Sequence, residues 1–332
     1  MMNTKAIDAI ARAVLYEGYM LYPYRPSAVK NRQRFNFGVL YPRAYSEAQN
    51  GTDPWSMQTE CLIEGSLQTS VEVKVRFLKL VARRVAPSFA AVDAHPPSWQ
   101  EAVEREVSPS QFTLGPILFT PSVFPFDFPA ETQTGASPNA ADVTQVVRVQ
   151  EAVRGVVQVS AEEVADGVFR LRVRVENLTA AGAGDEPREQ VQMRSLVSAH
   201  TLLGVTHGRF VSLLDPPSQL AEIAAGCHNI GTWPVLVGAE ESRDTMLSSP
   251  VILYDYPQLA PESPGDLFDG TEIDEILALR IMTLTEDEKR EMRDSDDRAR
   301  RILERTENLP AEHLMKLHGT LRELRPLKGE TP

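Results

Sequence analysis

The chain has 332 residues, with 34 Lys and Arg against 46 Asp and Glu, 42% hydrophobic residues, 24 Pro, 19 Gly and 2 Cys, a composition that excludes disordered, collagen-like and disulfide-scaffold readings. Its formal charge of −12 at pH 7 opposes nonspecific attraction to nucleic acid or anionic lipid. No apolar run approaches the roughly 18 residues of a membrane span, and the start, MMNTKAIDAIARAV, lacks an uninterrupted signal-type apolar region, so the expected address is the cytoplasm, where Cys61 and Cys227 stay reduced.

Thr4 can cap a short helix that places Ile7, Ile10 and Val14 on one face, with Lys5, Asp8 and Arg12 turned away and Gly18 at its end. The next stretch, GYMLYPYRPSAVKNRQRFNFGVLYPRAY, is punctuated by Pro23, Pro26, Gly38 and Pro42 and reads as strand, loop, strand. Val71, Val73, Val75 and Phe77 alternate with Glu72, Lys74 and Arg76, the period of a strand with one wet face. Ser98 and Glu101 have capping-box spacing before Ala102 and Val103. In the run TPSVFPFDFPAETQTGASPNA the Phe residues are expected to pack and residues 137–140 to form an exposed linker.

Val156, Val157 and Val159 lead through Asp166-Gly167 into a second alternating strand, Phe169, Leu171, Val173 and Val175 against Arg170, Arg172, Arg174 and Glu176. That is the signature of a β-hairpin in an antiparallel sheet. The order Gly, Gln, Ser before an alternating strand occurs at Gly65, Gln68, Ser70 and at Gly155, Gln158, Ser160, a hint of duplication. AAGAGDEP, residues 180–187, is a loop by composition, and MRSLVSAHTLLGVTHGRFVSLLD is strand-like up to Pro216-Pro217. Past Gly265, Thr271 can cap a helix carrying Ile273, Ile276, Leu277 and Ile281. Thr285 with Glu288 forms a capping box for a charged run to Asn308, and Pro310 opens a last helix with Leu314, Leu317, Leu321 and Leu324.

Two stretches carry chemistry. Arg25, Lys30, Arg32, Arg34 and Arg43 occur with no acid between Glu17 and Glu47, among Tyr19, Tyr22, Tyr24, Phe35, Phe37, Tyr41 and Tyr45. Guanidinium groups and rings together can hold an anionic ligand, an acidic partner or single-stranded nucleic acid. The alternative is a pair of strands with aromatics inward and cations snorkelling outward. The partner-binding set expected from this stretch is Tyr22, Tyr24, Arg25, Lys30, Arg32, Arg34, Tyr41 and Arg43, held outward by the scaffold.

The second stretch is AGCHNIGTWPVLVG, where Cys227 beside His228 has the donor chemistry of a soft metal site or an activated thiolate, with His200, His207 and Cys61 as further members if the fold brings them near. No CxxC pair supports it, and a small buried Cys in a loop is the plainer reading. The acids Asp255, Glu262, Asp266, Asp269 and Glu272 lack calcium-loop spacing. Their segment reads as extended chain lashing the β region to the C-terminal helices, with Val251, Ile252 and Leu253 buried; its acids can also receive the basic stretch, within the chain or across a homo-oligomer. Phosphate-loop, dinucleotide, zinc-protease and nucleophile-elbow motifs are missing.

The strings GYMLYPYRPSAVKNRQRFNFGVLYPRAYS, AGCHNIGTWPVLVG and RDTMLSSPVILYDYPQLAPESPGDLFDGTEIDEILALRIMTLTEDEK together resemble an uncharacterised bacterial protein family encoded in [NiFe]-hydrogenase gene clusters of the actinobacterial type. The resemblance implies a cytoplasmic accessory role in assembly or maturation of the hydrogenase, with hydrogenase subunits or a maturation factor as partner. It carries no catalytic residues across, and no cofactor is read from the chain. It gives added weight to Cys227 and His228 as metal-handling residues, because active-site assembly passes iron between thiolates and imidazoles.

The fold expected is α+β: an antiparallel β-rich core over residues 1–265, sandwich-like or strongly curved, with an N-terminal helix, and a C-terminal helical segment over 266–332. The function expected is a non-catalytic, protein-binding accessory factor. The competing readings are a metal-handling or thiol-dependent enzyme using Cys227 and His228, and a β-sandwich module that binds a small anion.

Overall fold

The protein is described by a computed structural model in which residues 4–25, 27–28, 31, 34–35, 37–86, 99–109, 111–136, 145–180, 182, 186–259, 265, 267–268 and 274–317 are placed. The chain forms two compact units, one of Met1–Tyr16 with Phe35–Pro257, the other of Glu17–Arg34 with Gln258–Pro332. Among the described residues no helix is long and apolar enough to cross a membrane.

The first unit has the α+β architecture expected, with two antiparallel sheets. One runs β11 (Arg209–Val211), β1 (Ser56–Glu64), β9 (Val168–Asn177), β8 (Val153–Ala165), β5 (Ser122–Phe128). The other runs β12 (Trp233–Leu236), β13 (Thr245–Ser249), β10 (Val197–Thr206), β2 (Ser70–Ala86), β7 (Gln145–Gln150), β6 (Glu131–Ala136), and β2 also pairs β3 (Trp99–Val107) and β4 (Phe112–Thr113). The 17 residues of β2 serve as a spine. Because β3 pairs residues 75–83, overlapping the partners of both β10 (70–78) and β7 (82–86), the latter two share the opposite edge of β2.

Alternation does the work the sequence announces. Val71, Val73, Val75 and Phe77 of β2 meet Val157, Val159, Phe169, Leu171, Val173 and Val175 of β8 and β9 in one apolar core, with Phe124, Phe126 and Phe128 of β5 packed against it. Asp166-Gly167 makes the β8–β9 turn, Gly167 adopting φ +67°, a left-handed conformation that glycine adopts at no steric cost. In contrast, β1 and β10 are buried along almost their whole length. Their outer faces are covered: Ile7, Ile10 and Ala11 of helix α1 (Thr4–Leu15) lie on Leu202, Val235 and Leu247, while Leu220 and Ala224, at the start of and within α5 (Ala221–Ala225), lie on Leu62, Val168 and Val211.

Several local expectations change. Residues 99–107 are strand β3 rather than a capped helix, and Glu101 is drawn instead to Arg83 and Arg148 at 3.4 and 2.7 Å; Ser98 lies outside the described residues, as do residues 137–140. The described residues between 18 and 42 contain only a single bridge, Leu40 with Leu196, since Tyr24, Phe35 and Gly38 all have positive φ and break extended chain; helix α2 (Arg43–Ala48) follows, and two more short helices, α3 (Leu114–Phe119) and α4 (Arg188–Gln192), join strands further on. The duplicated Gly, Gln, Ser string falls in the β1–β2 connection at one site and inside β8 at the other, so it marks no repeat.

Beyond β13, Leu253 packs against the α1 cluster but Ile252 faces solvent. Asp255 accepts from the Leu236 amide at 2.7 Å and the Ser212 hydroxyl at 2.5 Å, and the Tyr256 amide donates to the Leu236 carbonyl at 2.7 Å. With Pro234 lacking an N–H, this closes the outer edge of β12.

In the second unit, α6 (Asp274–Met282), α7 (Glu286–Ser295), α8 (Asp297–Glu307) and α9 (Ala311–Leu317) bury Leu277, Ile281, Met292, Ile302 and Leu303. Thr285 and Glu288 form the capping box expected, Thr285 amide to Glu288 carboxylate at 2.8 Å. Thr271, Ile273, Glu262, Asp266, Asp269, Glu272, Leu321 and Leu324 lie outside the described residues.

Gly155 in β8 sits where a Cβ would fall on the Glu176 carbonyl and the Phe126 ring. Gly155→Ala is expected to lower the unfolding free energy by about 2 kcal/mol, measured as a shift in urea midpoint at unchanged m-value.

Candidate functional site

The basic and aromatic stretch is divided between the two units. In the second unit, Tyr24 is buried with its hydroxyl donating to the Leu267 carbonyl at 2.7 Å. Tyr22 stands edge-on to Tyr24, 6.3 Å between centroids, under the Arg280 guanidinium at 5.5 Å. Arg25 pairs with Glu288 at 3.0 Å and Glu291 at 3.7 Å, and the amide and hydroxyl of Ser27 both donate to Glu291. Arg34 is buried, donates to the Tyr19 carbonyl at 3.0 Å and lies 5.6 Å from the centre of the Tyr19 ring. The Tyr19 hydroxyl donates to Asp296, whose other oxygen caps α8 by accepting from the Arg298 amide at 2.6 Å. Burial pulls the Arg34 pKa down to about 10 against the pull of Tyr19 and Asp296, and burial beside Asp296 raises that of Tyr19 well above its ordinary value. Lys30 and Arg32 lie outside the described residues.

In the first unit Tyr41 is buried, its hydroxyl accepting from Arg188 Nε at 2.7 Å, and burial raises its pKa. Arg43 is exposed, paired with Glu47 at 2.7 Å and stacked 4.7 Å over Trp55, which also receives Arg174 at 5.7 Å. The outward cluster expected from sequence is therefore corrected for Tyr24, Arg34 and Tyr41. They are interior: Tyr24 and Tyr41 are met by Leu267 and Arg188, about 240 and 150 residues away in sequence, and Arg34 by the carbonyl of Tyr19.

The Cys227–His228 loop has a different architecture. Beyond the short β11, the edge of β1 is completed by the loop: Gln58 and Ile230 exchange backbone hydrogen bonds at 3.1 and 2.9 Å, and the Asn229 side chain imitates a strand by pairing with both the amide and carbonyl of Glu60 at 2.8 and 3.2 Å. The Glu60 carboxylate is wholly buried and accepts from Arg172 Nε at 2.6 Å, from the His228 amide at 2.7 Å and from Gln58 Nε2 at 3.3 Å, with Arg170 at 4.0 Å. Behind the loop, Ser248 bonds both Thr59 and Thr232 at 2.8 Å in a buried hydroxyl chain. Locked this way, the loop leaves Ile230 50% and Trp233 45% exposed.

The thiol chemistry anticipated here is weak. Burial pushes the Cys227 thiol up despite the neighbouring Arg170, and burial pushes Cys61 far higher. Cys61 faces the inner core, whereas Cys227 packs by Leu62 and Ala224 on the other face. His200 is buried on β10 and His207 lies in the β10–β11 turn. Among the described residues no three His, Cys, Asp or Glu side chains are gathered as a metal site. Glu60 is the residue that sequence reading missed; the signal for it was an acid beside the apolar run Cys61–Ile63, with Arg170 and Arg172 alternating in the strand that pairs with it.

No protein-family model matches the chain, and no curated protein matches it.

Glu60→Ala leaves Arg172 and the His228 amide without their acceptor, so it is expected to cost about 3 to 5 kcal/mol in denaturant unfolding and to speed thiol labelling of Cys227, read by mass spectrometry, while Cys61 stays protected. Asp296→Ala removes the acceptor of the buried Tyr19 hydroxyl and uncaps α8, with a loss of about 3 kcal/mol expected, followed by far-UV circular dichroism of the helical signal.

Proposed function

We propose that the protein is a non-catalytic accessory factor that supports assembly or maturation of a [NiFe] hydrogenase by binding a hydrogenase subunit or a maturation factor. The observation that carries this reading is the loop of residues 226–233. It lies within one of the strings that resemble the hydrogenase-linked family, and its backbone with the Asn229 and Thr232 side chains is turned inward to Glu60, Gln58 and Ser248 while the side chains of His228, Ile230 and Trp233 are exposed. Apolar and Trp side chains fixed on a rigid support are the anchors that dominate protein interfaces, because little conformational freedom is lost when a partner closes over them.

The thiol-dependent reading has less support, since burial disfavours the Cys227 thiolate. The anion-binding reading is weakened by internal pairing: Arg25, Arg43 and Arg172 each have a carboxylate of the same chain. The surface proposed for the partner therefore moves from the tyrosine and arginine stretch to the Ile230–Trp233 loop, with Arg43 and Trp55 on the same unit as its polar accompaniment.

Affinity capture of the tagged protein from cells expressing the hydrogenase, read by mass spectrometry, is expected to enrich a hydrogenase subunit or maturation factor. Trp233→Ala should reduce that enrichment about tenfold, the effect of losing one anchor side chain, with thermal stability unchanged. Capture without any hydrogenase-related protein, or equal capture by Trp233→Ala, overturns the proposal.

A further inference from the structure

His200 is 1% exposed in β10 and is absorbed by nothing proposed above. Its Nδ1 lies 2.7 Å from the Ser198 carbonyl, which fixes that nitrogen as the donor; Nε2 is buried with no hydrogen-bond partner. The geometry that creates this is a bulge: Ser198 takes φ 53° and the register with β2 shifts between Val197 and His200. His200 then shares a face of β10 with Leu202, and Leu202 is where α1 lies through Ile7, Ile10 and Ala11. In register with His200 is Arg76, and Arg76 is the residue that ties down α1, bonding Asp8 at 2.8 Å while also holding Glu106 at 2.7 Å.

From this we infer that His200 is an acid-sensitive latch for α1, admitting the helix onto the second sheet only while its imidazole is neutral. A proton on Nε2 would have no acceptor within the buried site and would place a second cation beside Arg76. The charged groups on the flanking elements are Glu72, Lys74 and Arg76 on β2, Glu104 and Glu106 on β3, and Asp8 and Arg12 on α1, with Glu72 held by Lys74 at 2.9 Å and Glu104 by Arg12 at 3.7 Å; β13 contributes none. Asp8 and Glu106 are already engaged by Arg76, so neither is available as a counter-ion. Lifting α1 is the opening that hydrates the imidazole most readily, because β2 and β13 are bound to β10 in ladders whereas α1, among the described residues, is held by side chains. The helix leads directly into Glu17, the first residue of the second unit.

Burial lowers the His200 pKa to about 4, against an ordinary value near 6.5. The neutral form is the one the closed state holds, so closure is undiminished above about pH 6.5 and weakens as pH falls towards 4, below which no further loss occurs. Linkage over that window makes opening roughly twentyfold more frequent at pH 5 than at pH 7.

Amide hydrogen exchange of the full chain, corrected for intrinsic pH dependence, tests this. Protection of residues 5–15 should fall about twentyfold between pH 7 and pH 5 while the β8–β9 amides hold theirs, and His200→Gln should abolish the fall. Loss of protection in α1 that only matches β8–β9, or an equal fall in His200→Gln, overturns the latch. If His200→Gln does not fold, the comparison of α1 with β8–β9 in the unsubstituted protein decides alone.

Discussion

A carboxylate taken wholly out of water is tolerated only where donors meet it on every side. Glu60 meets that requirement with groups from three places: a guanidinium on β9, a neighbouring amide on its own strand and the main chain of the Cys227–Asn229 loop. The consequence runs both ways. The strand keeps a buried charge because the loop covers it, and the loop has one conformation because the charge demands an amide there. Asn229, standing in for a missing strand residue at the open edge of β1, makes the arrangement continuous with the sheet.

This explains why a sequence that looks reactive behaves as a support. Cys227 and His228 are adjacent in the chain, but what the fold uses of His228 is its backbone N–H, and what it uses of Cys227 is its small apolar bulk beside Leu62 and Ala224. Donor-rich spelling and donor-rich geometry are separate facts. The outer face of β9 teaches the same lesson, since Arg170, Arg172 and Arg174 look like a basic stripe on paper and are each held by Glu60, Glu162 or Glu176 in space.

What could be read in advance was whatever depends on near neighbours. The alternation in β2 and β9, the Asp166-Gly167 turn and the Thr285–Glu288 capping box are all written within a few residues, and each forms as written. What depends on distant partners was illegible. Nothing local in WQEAVEREV says that Glu101 will find Arg83 and Arg148 and lie in a strand, and nothing local in the tyrosine-rich stretch says that Tyr19 will find Asp296 at a separation of 277 positions. β1 was equally opaque, because burial on both faces erases the period that reveals a strand, whereas β10 and β11 lie inside the stretch 193–215 that reads as strand-like.

The pairing of Tyr19 and Arg25 with α7 and α8 has a bearing on how the protein is made. On the ribosome, the segment 17–34 emerges before the entire β region, and its partners in α7 and at the start of α8 are synthesised after it. At translation speeds of roughly 5 to 20 residues per second, its rings and cations remain without their carboxylates for on the order of tens of seconds. During that interval the β region can complete its two sheets, since every strand lies between the two halves of the later unit. Synthesis of the chain therefore imposes an order of events, with the helical unit as its final act, and a nascent chain stalled before α7 would carry a finished β region and an unclaimed tyrosine-rich segment, the natural target of a chaperone.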